Sequence, residues 1–285
     1  MEAVRFAAIQ MTSGDNVAHN CAVASQLLQR AADDRACLAV LPENFALMGA
    51  EPASRVQIAE APGDGPLHEF LRNSARRIGM WVVGGTIPVD SDEPERPYAS
   101  CYVFDDHGNR VGRYDKIHLF DVALPGSDES YCESASTKPG ETPLVVATPW
   151  GRLAVAVCYD LRFPELFRYL CNDGMDFLAL PAAFTYPTGE AHWESLLRAR
   201  AIENLCYVVA SAQAGIHPGG RRTYGHSMIV DPWGGHTFSA VEQCDVVSAI
   251  VAPERLQVLR ASFPALSHRR LSVARPEQSA RRSQN

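Results

Sequence analysis

Short apolar bursts alternate with amphipathic stretches through the first third of the chain, and that rhythm sets the expected fold. Residues 4–11 read as a strand, 16–32 as an amphipathic helix, and 37–41 as a second, buried strand. A helix is expected over 65–78 and a further strand over 80–87. Strand, helix, strand, helix, strand implies parallel pairing, with crossover helices packed on the sheet.

The middle of the chain changes rhythm. Residues 101–105 and 110–114 flank the turn His107-Gly108-Asn109 and read as a hairpin. So do 144–148 with 152–157, and 228–230 with 236–238, around Pro149-Trp150-Gly151 and Asp231-Pro232-Trp233-Gly234. Helices are expected over 163–172 and 191–205, and strands over 176–180 and 206–211. The sheets are therefore mixed, with helices outside. Residues 118–142 read as one long irregular stretch, and loops of that length are commonly functional. No linker divides residues 1–270, which read as one domain. Residues 271–285 are polar and arginine-rich, suited to a frayed end or an arm over a partner subunit.

Composition adds exclusions. The chain has 285 residues, 46% apolar and 21% charged, enough for a large core. A net charge of −7 argues against a broad nucleic-acid or anionic-membrane surface. No apolar run approaches the ~20 residues that span a bilayer. The first residues lack the basic start and apolar stretch of a signal peptide. The eight cysteines are scattered with no CxxC pair, which suits reduced thiols in a cytoplasmic protein. Of 26 basic residues only Lys116 and Lys138 are lysine, so each is a candidate for chemistry that arginine cannot do.

Three expected strands end in a reactive group. Glu43 follows Leu38-Ala39-Val40-Leu41-Pro42, Lys116 follows Gly112-Arg113-Tyr114-Asp115, and Cys158 follows Ala154-Val155-Ala156-Val157. Past Cys158 the polar Tyr159-Asp160-Leu161-Arg162 leads to Pro164, a helix opener. Each residue has a plainer reading. A free cysteine is often a small core hydrophobe. Glu43 alone could be a surface carboxylate, Lys116 a solvated cation, and Arg162 an ion-pair partner of Asp160 or Glu165. If the strands share one direction, however, the three groups meet at one edge. A carboxylate beside a thiol serves as general base. An ammonium beside both lowers the thiol pKa and stabilises an oxyanion. That set attacks an amide carbonyl without metal or cofactor. His118, His192, His226 and His268 offer no comparable motif and no metal-ligand spacing such as HExxH. The segment His192-Trp193 reads as packing beneath the site or at an interface. A catalytically silent dimeric binding protein is the contrasting class, and the intact trio argues against it.

The segments Leu41-Pro42-Glu43-Asn44-Phe45, Tyr114-Asp115-Lys116-Ile117-His118 and Val157-Cys158-Tyr159-Asp160-Leu161-Arg162-Phe163-Pro164-Glu165 resemble, in order, the three signatures of the nitrilase (carbon–nitrogen hydrolase) superfamily. Segments 181–189, 192–204, 222–234 and 267–270 resemble its deaminated glutathione amidase branch. The resemblance implies a four-layer α-β-β-α sandwich with two mixed sheets. It implies an amidase acting on a γ-amide of an α-keto acid, with α-ketoglutaramate or an N-carbamoyl compound as alternative substrates. By the same resemblance, Glu43 is the base, Cys158 the thioester-forming nucleophile, and Lys116 with the Tyr159 N–H the oxyanion holder. A second glutamate positions the lysine, either Glu133 or, more weakly placed, Glu129. Arg162, Phe184 and Thr188 match pocket positions, and Arg221 with Arg222 is suited to a distal carboxylate. The family pattern involves no metal or cofactor, and pairs subunits through the helices at 163–170 and 191–205 into a homodimer or larger assembly.

Overall fold

A computed structural model of the chain describes residues 2–49, 53–124, 129–239 and 243–271. The first half holds β1 (Val4–Gln10), α1 (Val17–Asp33), β2 (Ala36–Val40), α2 (Ala53–Gln57), α3 (Pro66–Ile78), β3 (Trp81–Val83), β4 (Ile87–Val89), β5 (Tyr98–Phe104) and β6 (Arg110–Asp115). Next come β7 (Asp121–Ala123), β8 (Ser130–Cys132), β9 (Leu144–Thr148), β10 (Gly151–Val155), α4 (Pro164–Asn172), β11 (Phe177–Ala182) and α5 (Tyr186–Asn204). The chain continues through β12 (Tyr207–Ala212), β13 (Ala214–Ile216), β14 (Arg222–Tyr224), β15 (Met228–Val230), β16 (His236–Phe238), β17 (Asp245–Val251) and α6 (Pro253–Ser262).

Two mixed sheets face each other. One runs β17-β1-β2-β3-β5-β4, with β6 beside β5; the other runs β16-β15-β12-β11-β10-β9. The alternation along each strand decides which layer a side chain enters. Phe6 and Ala8 of β1, Leu38 and Val40 of β2, and Cys101 and Val103 of β5 point to the layer between the sheets. Their neighbours Ala7, Ile9, Ala39, Tyr102 and Phe104 point outward, under Leu27 and Leu28 of α1 and Leu71 and Ala75 of α3. On the far side, Phe167 and Leu170 of α4 and Trp193 and Leu197 of α5 cover the second sheet. The result is the four-layer α-β-β-α sandwich expected from the resemblance. Across its centre, Phe6 meets Phe177 edge-to-face at 5.3 Å, and Trp81 meets Trp150 at 5.9 Å.

Strands β1, β2 and β3 are mutually parallel, as are β10, β11 and β12. A parallel bridge from Met11 to Gln213 joins the ends of β1 and β12. Both parallel sets therefore open at one shared edge, where ligands bind in such sheets.

Several expected boundaries move. The strand expected over 80–87 is two, β3 and β4, broken at Gly84-Gly85. Gly85 has φ 59°, and a Cβ there would lie 2.2 Å from the Pro42 carbonyl oxygen, so the break is dictated by the loop that carries Glu43. Helix α5 begins at Tyr186, five residues before the expected 191, because Pro187 sits in the first turn where its missing N–H costs nothing. The stretch 118–142 contains a small hairpin, β7 with β8. Strand β17, the edge partner of β1, and helices α2 and α6 carried too weak a pattern to be read. The expected polar tail lies outside the described residues beyond Leu271. Among the described residues no helix is long and apolar enough to cross a membrane.

Phe6 is the test of the inter-sheet layer. Phe6→Ala is expected to cost about 3–5 kcal/mol in chemical denaturation, the range for a buried aromatic truncated to alanine. Ile250→Ala, on the exposed face of β17, is expected to cost less than about 1 kcal/mol. Equal losses at both positions would contradict this layer assignment.

Candidate active site

Three loops at the shared edge deliver the reactive groups. Glu43 follows β2, where the Leu41 N–H still donates to the Val83 carbonyl at 2.9 Å. The chain then reverses through Asn44 at φ 55°, whose N–H donates to Thr86 Oγ1 at 2.8 Å. Gln213, at the end of β12, donates its amide to the Glu43 carbonyl at 3.0 Å and accepts from the Ser13 N–H at 3.0 Å. Lys116 follows β6, with its N–H on the Ala99 carbonyl at 3.0 Å and its carbonyl held by the Gly140 N–H at 2.8 Å. Cys158 opens the 3-10 turn Cys158–Arg162 three residues past the end of β10, in the left-handed region at φ 48°. A non-glycine residue there costs about 1–3 kcal/mol and persists only when its surroundings impose it.

Asp160 is what imposes it. Its buried carboxylate accepts the Val157 N–H at 2.8 Å and the Tyr114 hydroxyl at 2.7 Å through Oδ2. Through Oδ1 it accepts the His118 N–H at 3.0 Å and contacts His118 Nδ1 at 2.7 Å. Burial, followed by the Asp160 charge, raises the Tyr114 pKa well above its ordinary value, so this hydroxyl stays protonated and donates. The cysteine turn and the lysine loop are thereby locked to one another. The sequence offered Asp160 only as a partner for Arg162. The structure gives it no such contact, and Arg162 instead meets His192 Nδ1 at 3.3 Å.

At the centre, Lys116 Nζ lies 2.7 Å from Glu43 Oε1 and 2.8 and 3.0 Å from the two oxygens of Glu133. Glu133 also accepts the Phe120 N–H at 2.8 Å and faces Arg55 at 3.8 Å. Burial opposes the charge on Lys116, which is 1% exposed, but Glu133 and then Glu43 outweigh it and raise its pKa. Burial likewise opposes the Glu43 charge, and Lys116 outweighs it, holding the carboxyl below its ordinary value. Cys158 goes the other way. Burial and then the Glu43 charge push its thiol well above the ordinary value, against the pull of Lys116 and the Ala183 N–H. The ammonium does pull this thiol's pKa down, as expected, but burial and the Glu43 charge outweigh it. The thiol is neutral and hydrogen-bonded to an ionised Glu43.

A cavity of about 350 Å³ opens over this cluster. Eight residues singled out in the sequence line it: Glu43, Lys116, Glu133, Cys158, Tyr159, Arg162, Phe184 and Thr188. Phe184 rests on Trp193 at 4.9 Å, so Trp193 packs beneath the site. Thr188 is held by Thr185 at 2.7 Å between hydroxyls. Glu129, the other candidate for the second glutamate, instead accepts the Tyr131 hydroxyl at 2.7 Å. Of the two further arginines, Arg221 lines the cavity, whereas Arg222 is exposed and stacks 3.6 Å from the Tyr186 ring centre. Sequence reasoning missed Arg55, Tyr131 and His217 as lining residues and Gln213 as a support. Only Asp160 had a readable signal, a carboxylate three residues past Val157 in a turn.

The chain matches the carbon-nitrogen hydrolase family over residues 5–261. A deaminated glutathione amidase of Yersinia enterocolitica is 42% identical over 271 residues, covering 95% of this chain and 94% of that protein. The deaminated glutathione amidase of Homo sapiens is 42% identical over 270 residues, covering 93% of this chain and 81% of that one. The crystal structure of the Caenorhabditis elegans NitFhit protein matches with a TM-score of 0.85 at 37% identity, over 94% of this chain and 65% of that one. On the extent of these matches, the chain belongs to the carbon-nitrogen hydrolase family.

Proposed function

We propose that the protein is a deaminated glutathione amidase that works through a Cys158 thioester. One observation carries the chemistry: Glu43, Lys116 and Cys158 come from three separate loops to line one cavity, with Glu43 2.7 Å from the Lys116 ammonium. The substrate is taken from the relatives of that name in Yersinia enterocolitica and Homo sapiens. Glu43 takes the thiol proton as sulfur attacks the amide carbonyl. Lys116 and the Tyr159 N–H hold the oxyanion of the tetrahedral intermediate, with Glu133 fixing the lysine. The proton passes from Glu43 to the leaving nitrogen, the C–N bond breaks, and the amine departs. A water deprotonated by Glu43 then attacks the thioester, releasing the α-keto acid and restoring the thiol. Arg162 takes the α-keto carboxylate, over the faces of Phe184 and Tyr159. No metal or cofactor enters these steps.

We also propose a homodimer joined near α5 and α6. Ile202, Trp233 and Phe263 are 45%, 62% and 49% exposed. They form one patch, since Trp233 meets Phe263 at 5.5 Å and Gly234 lies directly beneath Ile202. Exposed apolar clusters of this kind mark protein–protein contacts.

Three outcomes test these readings. Cys158→Ala is expected to abolish hydrolysis of deaminated glutathione, and mass spectrometry of wild type under turnover to show an acyl adduct on Cys158. Strong turnover of α-ketoglutaramate with none of deaminated glutathione would move the protein to an omega-amidase. The pH dependence follows from Glu43. Its folded pKa is depressed, so the carboxylate is fully present above the ordinary value of 4.5 and is lost only as pH falls through a lower value. The acid limb of kcat/KM should therefore lie below pH 4.5, and a limb at or above that pH counts against Glu43 as base. Light scattering should report a dimer for wild type and a monomer for Trp233→Arg. An unchanged dimer would place the interface elsewhere.

A further inference from the structure

Four cations and two carboxylates line the cavity: Lys116, Arg55, Arg162 and Arg221 against Glu43 and Glu133. Lys116 lies between the two carboxylates, and Arg55 faces Glu133. Arg162 and Arg221 have no carboxylate partner among the described residues; their polar contacts are His192 and the Ala183 carbonyl. Two guanidiniums left uncompensated in one cavity favour a ligand with two negative charges. Arg162 shares a turn with Cys158 and so serves the reacting end. Arg221 comes from a different loop and needs its own explanation.

That loop is built to hold Arg221 still. The His217 N–H donates to the Arg221 carbonyl at 2.9 Å. His217 Nδ1 meets the Ser13 carbonyl at 2.8 Å, and Nε2 meets the Thr223 hydroxyl at 2.7 Å. A backbone carbonyl only accepts, so Nδ1 carries the proton and Nε2 accepts from Thr223. Gly219 and Gly220, at φ 79° and 84°, turn the chain back toward the cavity. The guanidinium then lies 5.2 Å from the Tyr131 ring centre and donates through Nη2 to the Ala183 carbonyl at 2.8 Å. Its Nε is buried with no partner. A buried N–H in a native structure is normally paired, and the Nε edge of a guanidinium is a fork that fits a carboxylate.

Resting on the amidase reading above, we propose that Arg221 is the specificity-determining residue that holds a carboxylate remote from the scissile amide. The preferred substrates are then dianionic amides, with one carboxylate at Arg162 and the other at Arg221. Deaminated glutathione carries both; α-ketoglutaramate carries only the first. Arg222 takes no part, because it stands outside the cavity.

The test compares deaminated glutathione with its C-terminal carboxamide, which lacks only the remote charge. Wild type should prefer the acid. Arg221→Gln should lower kcat/KM for the acid roughly 10- to 100-fold, the worth of a hydrogen bond to a charged group, and leave the carboxamide unchanged. Arg221→Lys should keep the fold and part of the preference, and Arg222→Gln all of it. Equal loss on both substrates would overturn the proposal, since it means that Arg221 merely supports Ala183. Calorimetry on Cys158→Ala separates this idea from the amidase reading. If wild type hydrolyses neither compound but Cys158→Ala binds the acid more tightly, and adding Arg221→Gln removes the difference, the amidase reading falls and Arg221 stands. Equal binding of the two compounds overturns the role of Arg221.

Discussion

A lysine ammonium with almost no access to water is the constraint around which the rest is arranged. Stripping an ammonium of water costs several kcal/mol even after relaxation, and the charge survives only with close, well-directed partners. Lys116 has two, Glu43 and Glu133. Glu43 follows β2 and Glu133 follows β8, far apart in sequence, so the ion cluster is a product of tertiary folding. Each neighbouring device serves the same end. Gln213 reaches across from the second sheet to the Glu43 backbone, and Asp160 ties the lysine loop to the cysteine turn. Removing either carboxylate would leave the buried ammonium with a single close partner.

The same cluster explains the state of the thiol. Cysteine nucleophiles are often primed as thiolates by a nearby cation. Here burial disfavours the thiolate first, and the Glu43 charge then repels a second negative charge. The sulfur therefore keeps its proton in the free protein, and the proton lies on a hydrogen bond to the group suited to remove it. Left-handed backbone at Cys158 aims the sulfur at the cavity, and the Asp160 network holds the strain. Reactivity in this arrangement is a property of the assembled site and not of the cysteine alone.

How much of this the chain disclosed depended on the range of the interaction. Short apolar runs made β1, β2 and β5 legible as strands, because a strand's apolar content is a local property, whereas the layer each side chain enters emerged with the fold. Strand β17 was not legible: it lies at an edge against β1, and its burial comes from a partner more than 200 residues away. At the site, the short signatures around Glu43, Lys116 and Cys158 were readable as a set, and the lysine scarcity pointed to Lys116. Glu133 could be separated from Glu129 only by folding, since both lie on one hairpin and only Glu133 faces the lysine. Gln213 and His217 gave no signal, because their work is to bridge segments remote in sequence. The net direction of the thiol's pKa was not legible for a related reason. Sequence showed that Lys116 pulls it down, but burial, which only folding creates, and then Glu43 outweigh that pull.

The hairpin of β7 and β8 joins recognition to chemistry. A two-stranded ribbon is marginal on its own, and this one is anchored by Glu133, which grips Lys116 and the Phe120 N–H. Two residues earlier Tyr131 backs the Arg221 guanidinium and packs on Phe120 at 5.2 Å, which in turn meets Tyr159 at 5.1 Å. Arg221 and the lysine are therefore joined through one hairpin by contacts already in place. Binding energy from a part of the substrate that never reacts is most useful when spent on orienting the groups that do. On the proposed role of Arg221, selectivity would come from this side of the cavity and leave Glu43, Lys116 and Cys158 unaltered.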